Sequence, residues 1–206
     1  MEAVMQDAFI GDWAQQPHLS VEHRSSMHGL NRRFLDLAGK GVLAPGLGAQ
    51  VAPLSPAQRS AAADCPYALF DLRFQDDVYW RSRLQATEPW RIADAPDADE
   101  DIVDFVRLAL FYTWHLASST GLAAHLILGM HANTADALRR VSVDALPALA
   151  ATEAPNLTPR WSQCHAYWSA LIRAAARPDA AALRRVQLSG LQLAAAVQLP
   201  SEPRAV

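Results

Sequence analysis

One pattern occurs twice in this chain, and that repetition constrains its fold more than any other feature. "LSPAQRSAAADCPYALFDLRFQDDVYW" closes at Trp80 and "VSVDALPALAATEAPNLTPRWSQCHAYW" closes at Trp168, 88 residues later. Each runs from a Ser-led helix start through an Arg-aromatic pair to Tyr-Trp. Upstream, "FLDLA" ends at Ala38 and "WHLA" at Ala117, and Leu47-Gly48 recurs as Leu128-Gly129 in the same order. Ordered self-similarity of this kind marks a duplicated helical unit that buries its apolar face against its neighbour. The expected fold class is all-α: a long helix plus a short-helix group, twice, closed by a C-terminal capping helix.

Apolar spacing places the elements. Met27, Leu30, Phe34, Leu37 and Ala38 recur at three and four, predicting a helix over Val21–Ala38 that stops at Gly39. Residues 39–48 read as loop. Ser55-Pro56 opens a helix that ends near Cys65-Pro66, because the hydroxyl caps a free amide and proline suits the first turn. Residues 67–74 are extended or one more helical turn; their apolar content requires burial without deciding the period. Asp76 or Asp77 starts a helix bearing Val78, Trp80 and Leu84. Ile102 to Trp114 is apolar on nearly every face, the pattern of a central helix buried on all sides.

Further helices are predicted over Leu122–Met130, Thr134–Val141 and Val143–Thr152, the last capped by Ser142. Another, capped by Ser162, carries Tyr167, Trp168, Leu171 and Ile172. Asp179 caps a final helix with Leu183, Val186, Gly190, Leu193 and Val197 along one stripe, and its "LQLA" echoes the two earlier segments. This last rod reads as the cover a terminal repeat requires. The division is an N-terminal segment 1–19, a first repeat 20–92, an acidic linker and helix start 93–101, a second repeat 102–178, the capping helix 179–199 and a tail 200–206. All of it belongs to one compact domain.

Composition excludes several function classes. With 18 basic and 21 acidic residues and a formal net charge of −3, the chain lacks the cationic surplus of an autonomous nucleic-acid binder. The N-terminus has no signal-peptide pattern and no stretch is long and apolar enough to span a membrane, so a cytoplasmic location is expected. Only Lys40 among the basic residues is lysine, and alanine is abundant, which fits a GC-rich bacterial origin. Cys65 and Cys164 match no zinc or CxxC spacing and read as idle thiols. No nucleophile elbow, phosphate-binding glycine loop or metal-ligand spacing is present, so no enzyme, cofactor or metal is expected. His18, His23 and His28 step by five and do not share a helix face, and His115, His125 and His131 complete no ligand motif.

From Leu128 to Trp161 the order of features resembles the flagellar transcriptional regulator FlhD. Leu128-Gly129, the Ala135-Leu138-Val141 face, Ser142, the Leu146-Leu149-Ala150 face and Arg160-Trp161 follow that family's order. Leu47-Gly48, Leu54-Ser55, Ala62-Ala63 and Arg73-Phe74 repeat it more tersely. The resemblance covers about half the chain. The chain is far longer than one such subunit, and its Tyr-Trp pairs and terminal helix have no counterpart there. What the resemblance implies is an all-helical interaction protein in which two tandem units replace the two subunits of a dimer, a monomer mimicking a dimer.

The candidate positions follow. Arg73, Phe74, Tyr79 and Trp80, repeated as Arg160, Trp161, Tyr167 and Trp168, are either an aromatic-guanidinium interaction surface or core anchors with arginines bonding helix-end carbonyls. Arg81, Arg83 and Arg91 are the contacts nominated for DNA or an acidic partner. Tyr112, Trp114 and His115 mark a pocket between the repeats. Arg139-Arg140 and Arg184-Arg185 read as solvated helix surface. The leading expectation is a non-enzymatic regulatory or adaptor protein that docks to a protein partner, with a role in transcription as an extension and DNA reached within a complex. The alternatives are a DNA-binding regulator in its own right, and a small-molecule sensor or helical enzyme.

Overall fold

The computed structural model describes residues 21–85, 98–119 and 121–198. Within them the chain is all-α except for one two-residue ladder. The first half comprises α1 (Val21–Gly39), α2 (Pro45–Val51), α3 (Pro56–Ala63), strand β1 (Phe70–Asp71) and α4 (Asp77–Leu84). The second comprises α5 (Glu100–Ser119), α6 (Gly121–Leu128), α7 (Ala132–Leu138), α8 (Leu146–Glu153), strand β2 (Thr158–Pro159) and α9 (His165–Ala175). The last helix, α10 (Ala180–Gln198), lies along α9.

The long helices form where apolar residues repeat at three and four. On α1, Met27, Leu30, Phe34, Leu35, Leu37 and Ala38 are all buried. The same stripe carries a buried polar residue, Asn31, whose amide donates to Ala63 O at 3.2 Å and Tyr67 O at 2.9 Å and accepts from Leu69 N at 2.8 Å. One side chain thereby satisfies the backbone of the segment leaving α3, which would otherwise bury open polar groups at about 1–3 kcal/mol each. That segment is non-helical, with bends at 66, 67 and 69, and feeds β1.

α5 is not buried on every side. Phe105, Val106, Ala109, Leu110, Thr113, Leu116 and Ala117 are buried, while Asp101, Asp104, Leu108, His115 and Ser119 form an exposed stripe. The stretch 39–48 is not all loop either, since Pro45 starts α2. Leu47 and Gly48 therefore lie inside a helix, where a β-carbon on Gly48 would sit 2.8 Å from Ala38 O of α1. Leu128-Gly129 instead ends α6, with Gly129 at φ 69°, so the two Leu-Gly pairs occupy different settings.

Capping also departs from expectation in the second half. Ser55 accepts from Gln58 N while the Gln58 side chain accepts from Ser55 N, a complete capping box. Ser142 makes no such bond; its hydroxyl turns to the Asp144 carboxylate, and a 3-10 turn over Val143–Ala145 leads into α8. Cys164, not Ser162, stands at the N-cap of α9. Asp179 caps α10 through Ala182 N at 2.9 Å.

Core packing joins the halves. α1 packs on α2, α3 and α5, and α5 packs on α6, α7 and α8. The helix that follows each strand crosses over: α4 packs on α7 of the second half, and α9 packs on α2 and α3 of the first. Phe34 sits at the meeting point, its ring 6.1 Å from Phe70 and from Phe105 and 6.3 Å from Trp168. No helix among the described residues is long and apolar enough to cross a membrane.

Candidate interaction site at the Arg-aromatic segments

β1 and β2 run antiparallel with Phe70 opposite Pro159 and Asp71 opposite Thr158. Two residues beyond each strand the chain turns through the left-handed region, at Arg73 (φ 57°) and Trp161 (φ 53°). The carbonyls of these two residues accept from Asp76 N at 2.9 Å and Cys164 N at 2.7 Å, and a helix starts at the next residue in each case. The Trp80 indole donates to Leu72 O and Arg73 O at 3.1 Å, and the Trp168 indole donates to Arg160 O at 2.9 Å. Arg73 thus stands where Trp161 stands, and Leu72 where Arg160 stands. The match of Arg73-Phe74 to Arg160-Trp161 expected from sequence is one residue out of this backbone register.

The two arginines consequently face different surroundings. Arg73 is exposed, lies 4.0 Å over the Tyr79 ring and pairs with Asp76. Arg160 is only 6 % exposed; it donates to Ile127 O at 2.8 Å in the last turn of α6 and lies 4.6 Å over the Trp161 ring. Burial draws its guanidinium down to about 10, against the pull of the nearby Asp71 carboxylate. The same burial pushes Asp71 up, opposed by the Phe74 amide it accepts from and by the Arg160 charge. Gly129 makes room for this buried cation, because a β-carbon there would meet Arg160 Nη2 at 2.3 Å.

Phe74 and Trp80 stack within the core, and Tyr167 and Trp168 are buried beside Trp161. The Tyr167 hydroxyl lies 2.9 Å from that of Tyr67, which donates to Gln187 O of α10 at 2.8 Å. Burial raises both phenols. In the first half Tyr79 plays against a carboxylate instead. Glu153, fully buried at the end of α8, accepts from the Tyr79 hydroxyl at 2.7 Å, Arg83 Nε at 2.7 Å and Asn156 Nδ2 at 2.8 Å. Above this cluster an open depression of about 580 Å³ is lined by Arg73, Asp76, Val78, Tyr79, Ser82 and Arg83. Neither Asn31 nor Glu153 was singled out from sequence, where a lone Asn on an apolar stripe and an acid at a helix end both look ordinary.

Arg81 and Arg83 project from α4 but each holds a carboxylate, Asp77 at 2.6 Å and Glu153 at 2.7 Å. Arg91 lies outside the described residues. Tyr112, Trp114 and His115 turn to two different neighbours. Tyr112 and His115 approach His23 of α1, with ring centroids 6.2 Å away in both cases, whereas the Trp114 indole donates to Val141 O at 2.9 Å. Burial raises the Tyr112 phenol to about 12. His28 bonds Ser60, His125 bonds Met130 O and His131 accepts from Asn133 N, so these imidazoles are spread across separate helices; His18 lies outside the described residues. Among the described residues no three His, Cys, Asp or Glu side chains are grouped to hold a metal ion.

No protein-family model, curated protein or solved structure matches this chain.

Proposed function

We propose that this chain is a non-enzymatic regulatory or adaptor protein of bacterial cytoplasm that acts by docking to another protein. Its scaffold is a tandem pair of FlhD-like helical units whose association stands in for a two-subunit interface, with the last helix as its cap. The observation that carries this reading is the ladder: two segments 88 residues apart pair antiparallel, turn through a left-handed residue at the same position, and each locks a Trp indole onto its strand exit. A reciprocal contact of that kind is how two copies of one subunit meet in an isologous dimer.

The chemistry supports docking over catalysis. Glu153, Tyr79, Arg83 and Asn156 bond one another beneath the depression, and Asp76 is spent on the cap of α4 and on Arg73. Those groups hold helices together. The pairing of Arg81 and Arg83 with carboxylates likewise weakens α4 as a phosphate-contacting surface, since a paired guanidinium releases little on meeting DNA. A transcriptional role then runs through a protein partner. Gel filtration and chemical cross-linking in lysate of the native host test this: the chain elutes with a partner and cross-links to it. A lone monomer that cross-links to nothing contradicts the proposal.

A further inference from the structure

One face of α10 is fixed to the body of the protein. Gly190 lies against the Tyr67 hydroxyl, Ala194 is buried, and Leu183, Val186 and Leu193 pack on the core. No described residue covers the opposite face. Arg184, Leu188, Leu191 and Ala195 follow one another at spacings of four, three and four, with Arg185 and Gln192 beside them, and all six are exposed. Leu188 (54 %) and Leu191 (41 %) are the one place among the described residues where two exposed large apolar side chains share a helix face; Val42, Val78, Leu108 and Val143 each stand singly. Surface apolar residues scattered singly need no explanation, whereas adjoining ones on one helix face offer a partner apolar area to bury.

Charge identifies what the surface receives. The α9–α10 hairpin, residues 165–198, contains Arg173, Arg177, Arg184 and Arg185 against the single acid Asp179, a local surplus of three positive charges in a chain whose formal net charge is −3. Among the described residues no carboxylate lies within salt-bridge distance of any of these four arginines, unlike Arg73 in the turn before α4 and Arg81 and Arg83 on it. All four are exposed. We propose that the outer face of α10 binds an acidic amphipathic helix of a partner protein, its apolar stripe laid on Leu188 and Leu191 and its carboxylates one turn away on Arg184 and Arg185. Apolar anchors at three- and four-residue steps are how a helix is read in a groove or on a face, and the leucines favour such a helix over a phosphate backbone, which offers them nothing to bury. The stripe from residue 184 to 195 spans about 16 Å at 1.5 Å per residue, three turns of partner helix. A contact that small belongs to the weak, transient class and is steered by charge.

This proposal rests on the docking reading, and one experiment separates the two. A photo-crosslinking amino acid is placed in the full-length chain at position 188, and separately at position 78 on α4, in the native host, and the captured peptide is sequenced. The expected result is capture at 188 of a segment from another protein whose Asp or Glu residues lie one turn from apolar residues repeating at three and four. Yield falls at least five-fold in R184E/R185E, and in L191S with the crosslinker retained at 188, while circular dichroism stays that of the parent chain. Capture at 78 but not at 188 overturns the α10 proposal and leaves docking standing. Capture at neither position overturns both. Cross-links at 188 to nucleic acid, to a second copy, to the chain's own N-terminal segment or to a basic peptide overturn the proposal, as does an unchanged yield in the variants.

Discussion

Gly190 has no room for a side chain, because a β-carbon built on it lies 1.9 Å from the Tyr67 hydroxyl. A glycine inside a helix ordinarily costs about 1 kcal/mol relative to alanine; here it permits the approach that lets Tyr67 bond Gln187 O. Gly190→Ala is expected to destabilise the fold by about 1–3 kcal/mol through overpacking, seen as a lower urea midpoint, and an unchanged midpoint refutes the contact. Glu153 is the converse case, a buried carboxylate held by three donors. Glu153→Ala leaves Tyr79 and Arg83 without their acceptor and costs about 3 kcal/mol, the low end for breaking a buried pair because Arg83 is one-third exposed. A loss under about 1 kcal/mol would show that the cluster does not join α4 to α8.

Burial pushes the Cys65 thiol up to about 12. The unfolded thiol titrates near about 8.5, so between roughly pH 9 and 12 the unfolded chain releases a proton that the folded chain keeps. Stability therefore declines as pH rises through that window. Tyr67 and Tyr167, raised by the same burial, act with the same sign once the unfolded phenols titrate near about pH 10. At pH 8 the native protein is expected to react with iodoacetamide at the half-buried Cys164 at least ten-fold faster than at Cys65. Equal rates contradict the burial.

Among elements, the short helices show what sequence conveys and what it conceals. α3 is legible because Ser55, Pro56 and Gln58 encode a capping box at the right spacing. Ser142 copies the residue but not the bond, its hydroxyl going to Asp144. Ser55→Ala is thus expected to cost about 1 kcal/mol, and Ser142→Ala less than half of that, with thermal midpoints as the readout; equal losses would mean that both caps work alike. α2 was hidden because Gly46 and Gly48 look like turn residues, yet Gly48 serves the close approach of α2 to the α1 carbonyl at Ala38. The long helices α1, α5 and α10 were legible through periodicity alone. The exposed stripe of α5 was not, since Leu108 lies on it and Phe111 and Tyr112 flank it, so that every face looked apolar.

For the whole molecule, the repeated Tyr-Trp pairs were readable as sequence, and their environment was not. Chemical likeness aligned Arg73 with Arg160, whereas the backbone aligns Arg73 with Trp161, because a left-handed turn constrains φ and leaves the side chain free to differ. That slip of one residue separates an exposed arginine stacked on Tyr79 from a buried one bonding the end of α6. Asn31 and Glu153 look ordinary in sequence because the partners of Asn31 lie 32 to 38 residues away and those of Glu153 on α4, Arg83 and Tyr79, lie 70 and 74 residues away. The all-α class, by contrast, follows from local spacing and needed no such partners.

The two Trp-locked turns belong to one core closed across the β1–β2 ladder. Hydrogen exchange of the indole N–H groups, followed by NMR under native conditions, tests this directly, since a proton released only by global unfolding reports the full stability. The Trp80 and Trp168 indoles are expected to exchange with the same free energy, equal to that of global unfolding. Fast exchange of one indole while the other remains protected would show two independent halves and contradict the shared plan.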